Sequence, residues 1–93
     1  MIKRFYDKRT AALFVGKTPK GIGADVGRRA KAKLDLLDAA ASLDFLRSPP
    51  GNHLEALKGD RAGQHSIRVN DQWRICFIWR EGDAYDVEFC DYH

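Results

Sequence analysis

The sequence predicts an α+β domain: an N-terminal strand, then two helices packed on an antiparallel β-sheet. Two observations predict it. Apolar residues recur at helical spacing through the first half, and β-branched and aromatic residues alternate through the second. Between the halves, Ser48-Pro49-Pro50-Gly51-Asn52 stops any helix. At 93 residues the chain has room for one domain, taken as residues 1–93.

Ile2-Lys3-Arg4-Phe5 reads as the opening strand, and Asp7 behind it as a helix cap. Residues 8–16 carry Ala11, Ala12, Leu13, Phe14 and Val15, helix material stopped by Gly16. Pro19, Gly21 and Gly23 mark a loop. Asp25 is a cap candidate for a long helix expected to run to about Arg47. Its stripe is Val26, Ala30, Leu34, Leu37, Ala41 and Phe45.

Three strands follow, Gln64 to Val69, Trp73 to Arg80 and Ala84 to Cys90, separated by hairpin-sized loops. Three-residue loops would pair Val69 with Trp73 and Arg80 with Ala84, bringing all three apolar faces together. Trp79 then opposes Tyr85, Phe77 opposes Val87 and Ile75 opposes Phe89.

Composition excludes several classes. The chain is 44% hydrophobic and 31% charged, ordinary for a globular domain and too apolar for a disordered tail. No apolar run approaches the ~20 residues that span a bilayer, and no signal-peptide core follows Met1, so no membrane role is expected. Cys76 and Cys90 make no disulfide framework, which fits a reducing cytoplasm. On the expected register they are a diagonal pair at roughly 7–8 Å, too far for an easy disulfide. His53, His65 and His93 lack zinc spacing, and Gly21-Ile22-Gly23 is not a phosphate-loop fingerprint.

The net charge of +3 conceals an asymmetry. Residues 1–33 hold ten Lys/Arg against Asp7 and Asp25, a balance of +8. Residues 34–93 hold six basic against eleven acidic side chains, a balance of −5. The basic third, with Arg28, Arg29, Lys31 and Lys33 largely off the apolar stripe, is either a solvated helix face or a surface for a polyanion.

The register also places Arg68 opposite Arg74, an unfavourable like-charge pair unless it holds an anion or both side chains splay apart. Cys90 opposes Arg74, so Asp91-Tyr92-His93 ends beside the start of the Trp73-Arg74 strand. Arginine and histidine together can hold a phosphate and move a proton beside it. Lys58 and Arg61, in the loop ahead of the meander, are either part of that site or a charged connector.

Leu54-Glu55-Ala56-Leu57-Lys58-Gly59-Asp60-Arg61, then Trp73-Arg74-Ile75 and a closing Asp91-Tyr92-His93, resemble the HigB-type toxins of bacterial type II toxin–antitoxin systems, within the RelE/ParE superfamily. The resemblance implies a RelE/ParE-like fold and a ribosome-dependent endoribonuclease that cuts messenger RNA without metal or cofactor. It implies catalytic roles for His93, Tyr92, Asp91, Arg74 and Lys58. Arg68, Arg61, Arg28, Arg29, Lys31 and Lys33 are the expected RNA-binding cations. Glu55 stands where some members carry a histidine; His53 lies two positions away. The implied partners are the 70S ribosome, mRNA and a HigA-like helix-turn-helix antitoxin, with operator DNA reached only through the antitoxin. The alternative is a ParE-like, non-catalytic inhibitor of DNA gyrase with the same fold.

Overall fold

The computed structural model describes residues 1–91. The two helices are α1 (Lys8–Phe14) and α2 (Ala24–Ala39); the strands are β1 (Glu55–Ala56), β2 (His65–Arg68), β3 (Trp73–Arg80) and β4 (Asp83–Asp91). The strands form one antiparallel sheet in the order β1-β2-β3-β4. The predicted α+β class and element order hold. β1, two residues long, carried no readable strand signal.

The opening strand is two isolated bridges, Ile2 to Ala84 and Phe5 to Val87, running parallel to β4. Its backbone is tied there by Lys3 N–H to the Ala84 carbonyl (2.8 Å) and Tyr6 N–H to that of Val87 (2.9 Å). Asp7 caps α1 as expected, accepting from the Thr10 N–H at 2.8 Å. Gly16 then takes the left-handed conformation beyond the helix end (φ 89°).

Helix α2 departs from expectation at both ends. Gly23 is its N-cap, and Asp25 sits within the first turn, where its carboxylate complements the helix dipole and pairs with Arg28. The helix stops at Ala39 rather than near Arg47; Asp44–Arg47 is a separate 3-10 turn. Ala40 leaves the helix in an extended conformation (φ −67°, ψ 126°), so the spacing of Ala41 and Phe45 no longer follows the α2 stripe. Ala41 and Phe45 are therefore exposed, and Ala40 and Leu46 enter the core in their place.

That core is one layer of α2 and α1 residues (Leu13, Ala30, Leu34, Leu37) against Ile67, Ile75, Phe77, Val87 and Phe89 of the sheet. Burying a side chain of this size is worth roughly 1.5–3 kcal/mol. No helix among the described residues is long and apolar enough to cross a membrane.

The β2–β3 hairpin has the expected register, Ile67 facing Ile75 and Arg68 facing Arg74. Asn70 organises its loop: the side-chain oxygen accepts from the N–H groups of Gln72 (2.9 Å) and Trp73 (2.7 Å). The β3–β4 hairpin corrects the expectation. Its loop is two residues, Glu81 (φ 51°) and Gly82 (φ 84°), so Arg80 faces Asp83 and Trp79 faces Ala84.

A bulge then restores alignment. Ile78 faces Tyr85, but Cys76 faces Glu88, with the extra residue accommodated at Asp86 (φ 51°). Ile75 opposite Phe89 and Arg74 opposite Cys90 are thus as expected. The bulge keeps Ala84, Val87 and Phe89 all fully buried. Tyr85 turns outward, its ring under the guanidinium groups of Arg4 (5.7 Å) and Arg80 (5.2 Å).

Candidate active site and RNA-facing cations

The outer face of the sheet, away from α2, carries Arg74, while Asp91 pairs with Trp73 at the end of β4 and so has the parity of the opposite face. Arg74 is the best-held cation of the outer face. Alternation along β3 sends Ile75 and Phe77 into the core and Arg74 outward. Its Nε donates to the Ser66 hydroxyl at 2.8 Å and its Nη2 to the His53 carbonyl at 2.6 Å. Only 12% of the side chain is exposed. The Glu55 carboxylate lies 4.0 Å away on β1, completing the ring around it.

His53 takes part through its backbone. It adopts the left-handed conformation (φ 44°, ψ 57°) after the Pro50–Asn52 turn, which aims its carbonyl at Arg74. Asn52, fully buried, fixes that turn by donating to the carbonyls of Leu46 (3.1 Å) and Ser48 (3.2 Å). Neither the His53 carbonyl nor the Ser66 hydroxyl was singled out from sequence. The register could have found Ser66, because it lies diagonally across the ladder from Arg74 on the same face.

Lys58 is exposed, at the N-cap of the Gly59–Arg61 turn, where Gly59 has φ 65°. Arg61 is a connector within the sheet face: its Nη1 donates to Gln64 (3.0 Å) and to Glu88 (3.1 Å). Asp91, at the exposed end of β4, accepts from the Gln72 side-chain amide at 3.2 Å. Tyr92 and His93 lie outside the described residues.

Beneath these polar groups Cys76, Cys90 and Leu57 form a small buried cluster. The two cysteines are diagonal neighbours as expected, yet their free thiols meet at 2.8 Å. The hydrogen bond between them lowers the pKa of Cys76, with Arg61 and Arg74 adding to the effect against burial. The same bond, with burial, pushes Cys90 upward.

The six expected RNA-binding cations divide. Arg28 is paired with Asp25, and Lys31 with Asp35 at 3.0 Å, both on the exposed face of α2. Arg29 and Lys33 instead line a cleft of about 290 Å³ with Ala32, Gly51, Arg68 and Val69. Arg68 turns away from Arg74 toward Asp71. Lys33 is the perturbed member: burial first, then the charges of Arg29 and Arg68, lower its pKa.

Two helices against a four-strand antiparallel sheet, with cations and a carboxylate gathered on its open face, define a small toxin-like α+β fold. The YoeB–YefM complex from Staphylococcus aureus shares it, with a TM-score of 0.62 at 14% identity over 100% of this chain and 98% of that one. A heterotetrameric YoeB–YefM toxin–antitoxin complex from the same organism gives 0.61 at 13% identity.

The chain belongs to the HigB-like toxins, RelE-like toxins of type II toxin–antitoxin systems, whose family model matches residues 1–93. It is 38% identical to Endoribonuclease HigB of Proteus vulgaris over 93 residues, 100% of both chains. It is 49% identical to Toxin HigB-1 of Vibrio cholerae over 55 residues, a match spanning 59% of this chain and 58% of that protein.

Proposed function

We propose that this toxin is a ribosome-dependent messenger-RNA endonuclease. The observation that carries the reading is the fixed guanidinium of Arg74, oriented by Ser66 and His53 with the Glu55 carboxylate beside it. A relative matching the whole chain carries the name endoribonuclease, which supports this reading over gyrase poisoning.

The chemistry needs a nucleophile, proton transfer and charge stabilisation. The ribose 2′-OH attacks the adjacent phosphorus, its proton leaves to a base, and the 5′-oxygen departs with a proton. The products are a cyclic phosphate and a free 5′-OH. His93 suits the proton transfers, because an imidazole titrates near 6.5. Tyr92 stacks on a base or donates a proton. Asp91 orients its neighbours. Arg74 and the exposed Lys58 stabilise charge developing on the phosphate. A guanidinium already locked by two acceptors costs little reorganisation as that charge grows.

Glu55, 4.0 Å from the Arg74 guanidinium and open to solvent, supplies a second acid–base group in this reading. Arg28, Arg29, Lys31, Lys33, Arg61 and Arg68 contribute phosphate attraction that positions without reading sequence. The toxin acts in the cytoplasm on mRNA in the 70S ribosome. Its antitoxin is a HigA-like helix-turn-helix protein that carries it to operator DNA.

The test is primer-extension mapping of mRNA after brief expression of the toxin. Breaks within translated codons are expected. Intact messages together with trapped gyrase–DNA complexes would overturn the nuclease in favour of the alternative.

A further inference from the structure

We propose that the cleft between α2 and β2 is a phosphate site that holds one backbone phosphodiester of the single-stranded RNA crossing to the catalytic face. The inference rests on the RNA-cutting reading for its ligand and goes beyond it in naming a built subsite.

Helical spacing makes one wall: Arg29, Ala32 and Lys33 stand at i, i+3 and i+4 on α2. Gly51, Arg68 and Val69 make the other. At about 290 Å³ the cleft holds on the order of ten water volumes, room for a phosphate and its flanking sugars.

Its charge is uncompensated. No carboxylate lines it. Arg29 has no hydrogen bond or ion pair among the described residues, and the partner of Arg68, Asp71, is 99% exposed and readily exchanged. Lys33 is aimed rather than free. Its Nζ donates to the Asn52 side-chain oxygen, and Asn52 is itself locked by the Leu46 and Ser48 carbonyls. An ammonium has three donors, so two remain for a ligand.

Three like charges converging with only the exposed Asp71 as counter-ion are unfavourable; burial first, and then the charges of Arg29 and Arg68, lower the Lys33 pKa. An anion relieves the repulsion. Two guanidinium forks and an ammonium match a tetrahedral phosphate. Arg68 is also the cross-strand partner of Arg74. At Arg68 the edge of β2 is not covered by β1, and it separates the cleft from the face that carries Arg74; a chain with a phosphate at every residue can turn that edge, which favours RNA over an acidic peptide.

The probe is inorganic phosphate, titrated into the full chain at constant ionic strength and followed by amide shifts. Saturable shifts at Lys33, Gly51 and Val69 are expected. Arg29→Ala removes no hydrogen bond or ion pair among the described residues and weakens phosphate binding about tenfold or more, the loss of a charge-assisted hydrogen bond. Lys33→Gln, which keeps a donor for Asn52, does the same. Lys17→Ala removes an equal charge elsewhere and leaves the affinity as it was. A short single-stranded RNA competes with phosphate.

Absent or unsaturable shifts overturn the site, as does an equal loss with Lys17→Ala, which would mean bulk charge only. Stronger competition by an acidic peptide of equal charge, or equal competition by an RNA duplex, overturns the single-strand path. None of these readouts depends on cutting. A chain that binds phosphate here yet leaves messages intact would lose only the nuclease reading; one that cuts without this site would lose only the proposal.

Discussion

Arg68 and Arg74 are directly opposed across β2 and β3, and their guanidinium groups turn apart. Arg74 is held by the Ser66 hydroxyl and the His53 carbonyl, Arg68 by Asp71. The repulsion expected of such a pair is thus resolved by two sets of acceptors. It also separates the two cations, Arg74 on the outer face of the sheet and Arg68 in the cleft beside α2.

Ser66→Ala frees the Nε of a nearly buried Arg74. Leaving that donor unpaired is expected to cost about 1–3 kcal/mol of stability, read as a lower urea midpoint. The slackened guanidinium should also slow mRNA cleavage in a translation assay.

His93→Ala removes the proposed proton carrier. Expression should cease to arrest growth, while circular dichroism and the urea midpoint stay near the parent values. Full toxicity in this variant would remove His93 from the mechanism.

Lys33 gives a pH prediction. Its folded-state pKa lies below the ordinary value near 10.5, so the unfolded chain holds this proton more tightly. Stability linked to Lys33 is therefore lowest below the folded pKa and rises as the pH climbs from there toward 10.5. Urea midpoints of the parent, measured against Lys33→Met, should rise across that alkaline window and stay level below it.

Cys90→Ala removes the thiol hydrogen-bonded to Cys76. The pKa of Cys76 should then move up from its lowered position, because its leading cause is gone. Thiolate absorbance against pH tests this directly.

Glu81 occupies the left-handed first position of the β3–β4 turn (φ 51°). Asparagine tolerates that conformation far better, so Glu81→Asn should stabilise the hairpin by up to ~1 kcal/mol, a higher melting temperature with the register unchanged.

Much of the sheet was legible because β3 alternates cleanly from Trp73 to Arg80, and Asn70-Asp71-Gln72 can close only one register of the first hairpin. The second hairpin hid two compensating irregularities. The turn at Glu81-Gly82 is one residue shorter than expected, and the bulge at Asp86 takes that residue back. Beyond the bulge, Phe89 faces Ile75 in either case, so the alternation of Tyr85, Val87 and Phe89 shows no break. The end of α2 was illegible for a similar reason: Ala41 and Phe45 continue a helical spacing that the backbone abandons at Ala40. For the site, the strand positions of Arg74 and Asp91 followed from register. The acceptors of Arg74 did not, because one is a backbone carbonyl made available by the left-handed His53.

The tie between the first ten residues and β4 bears on how the molecule comes together. Arg4 meets Asp86, the Arg9 guanidinium donates to the Phe89 carbonyl, and the Phe89 N–H donates to the Thr10 hydroxyl, contacts separated by 82, 80 and 79 residues. Loops of that length are entropically costly to close, and contacts of such span slow folding. The strand that ends at Asp91 is thus completed by the segment farthest from it along the chain.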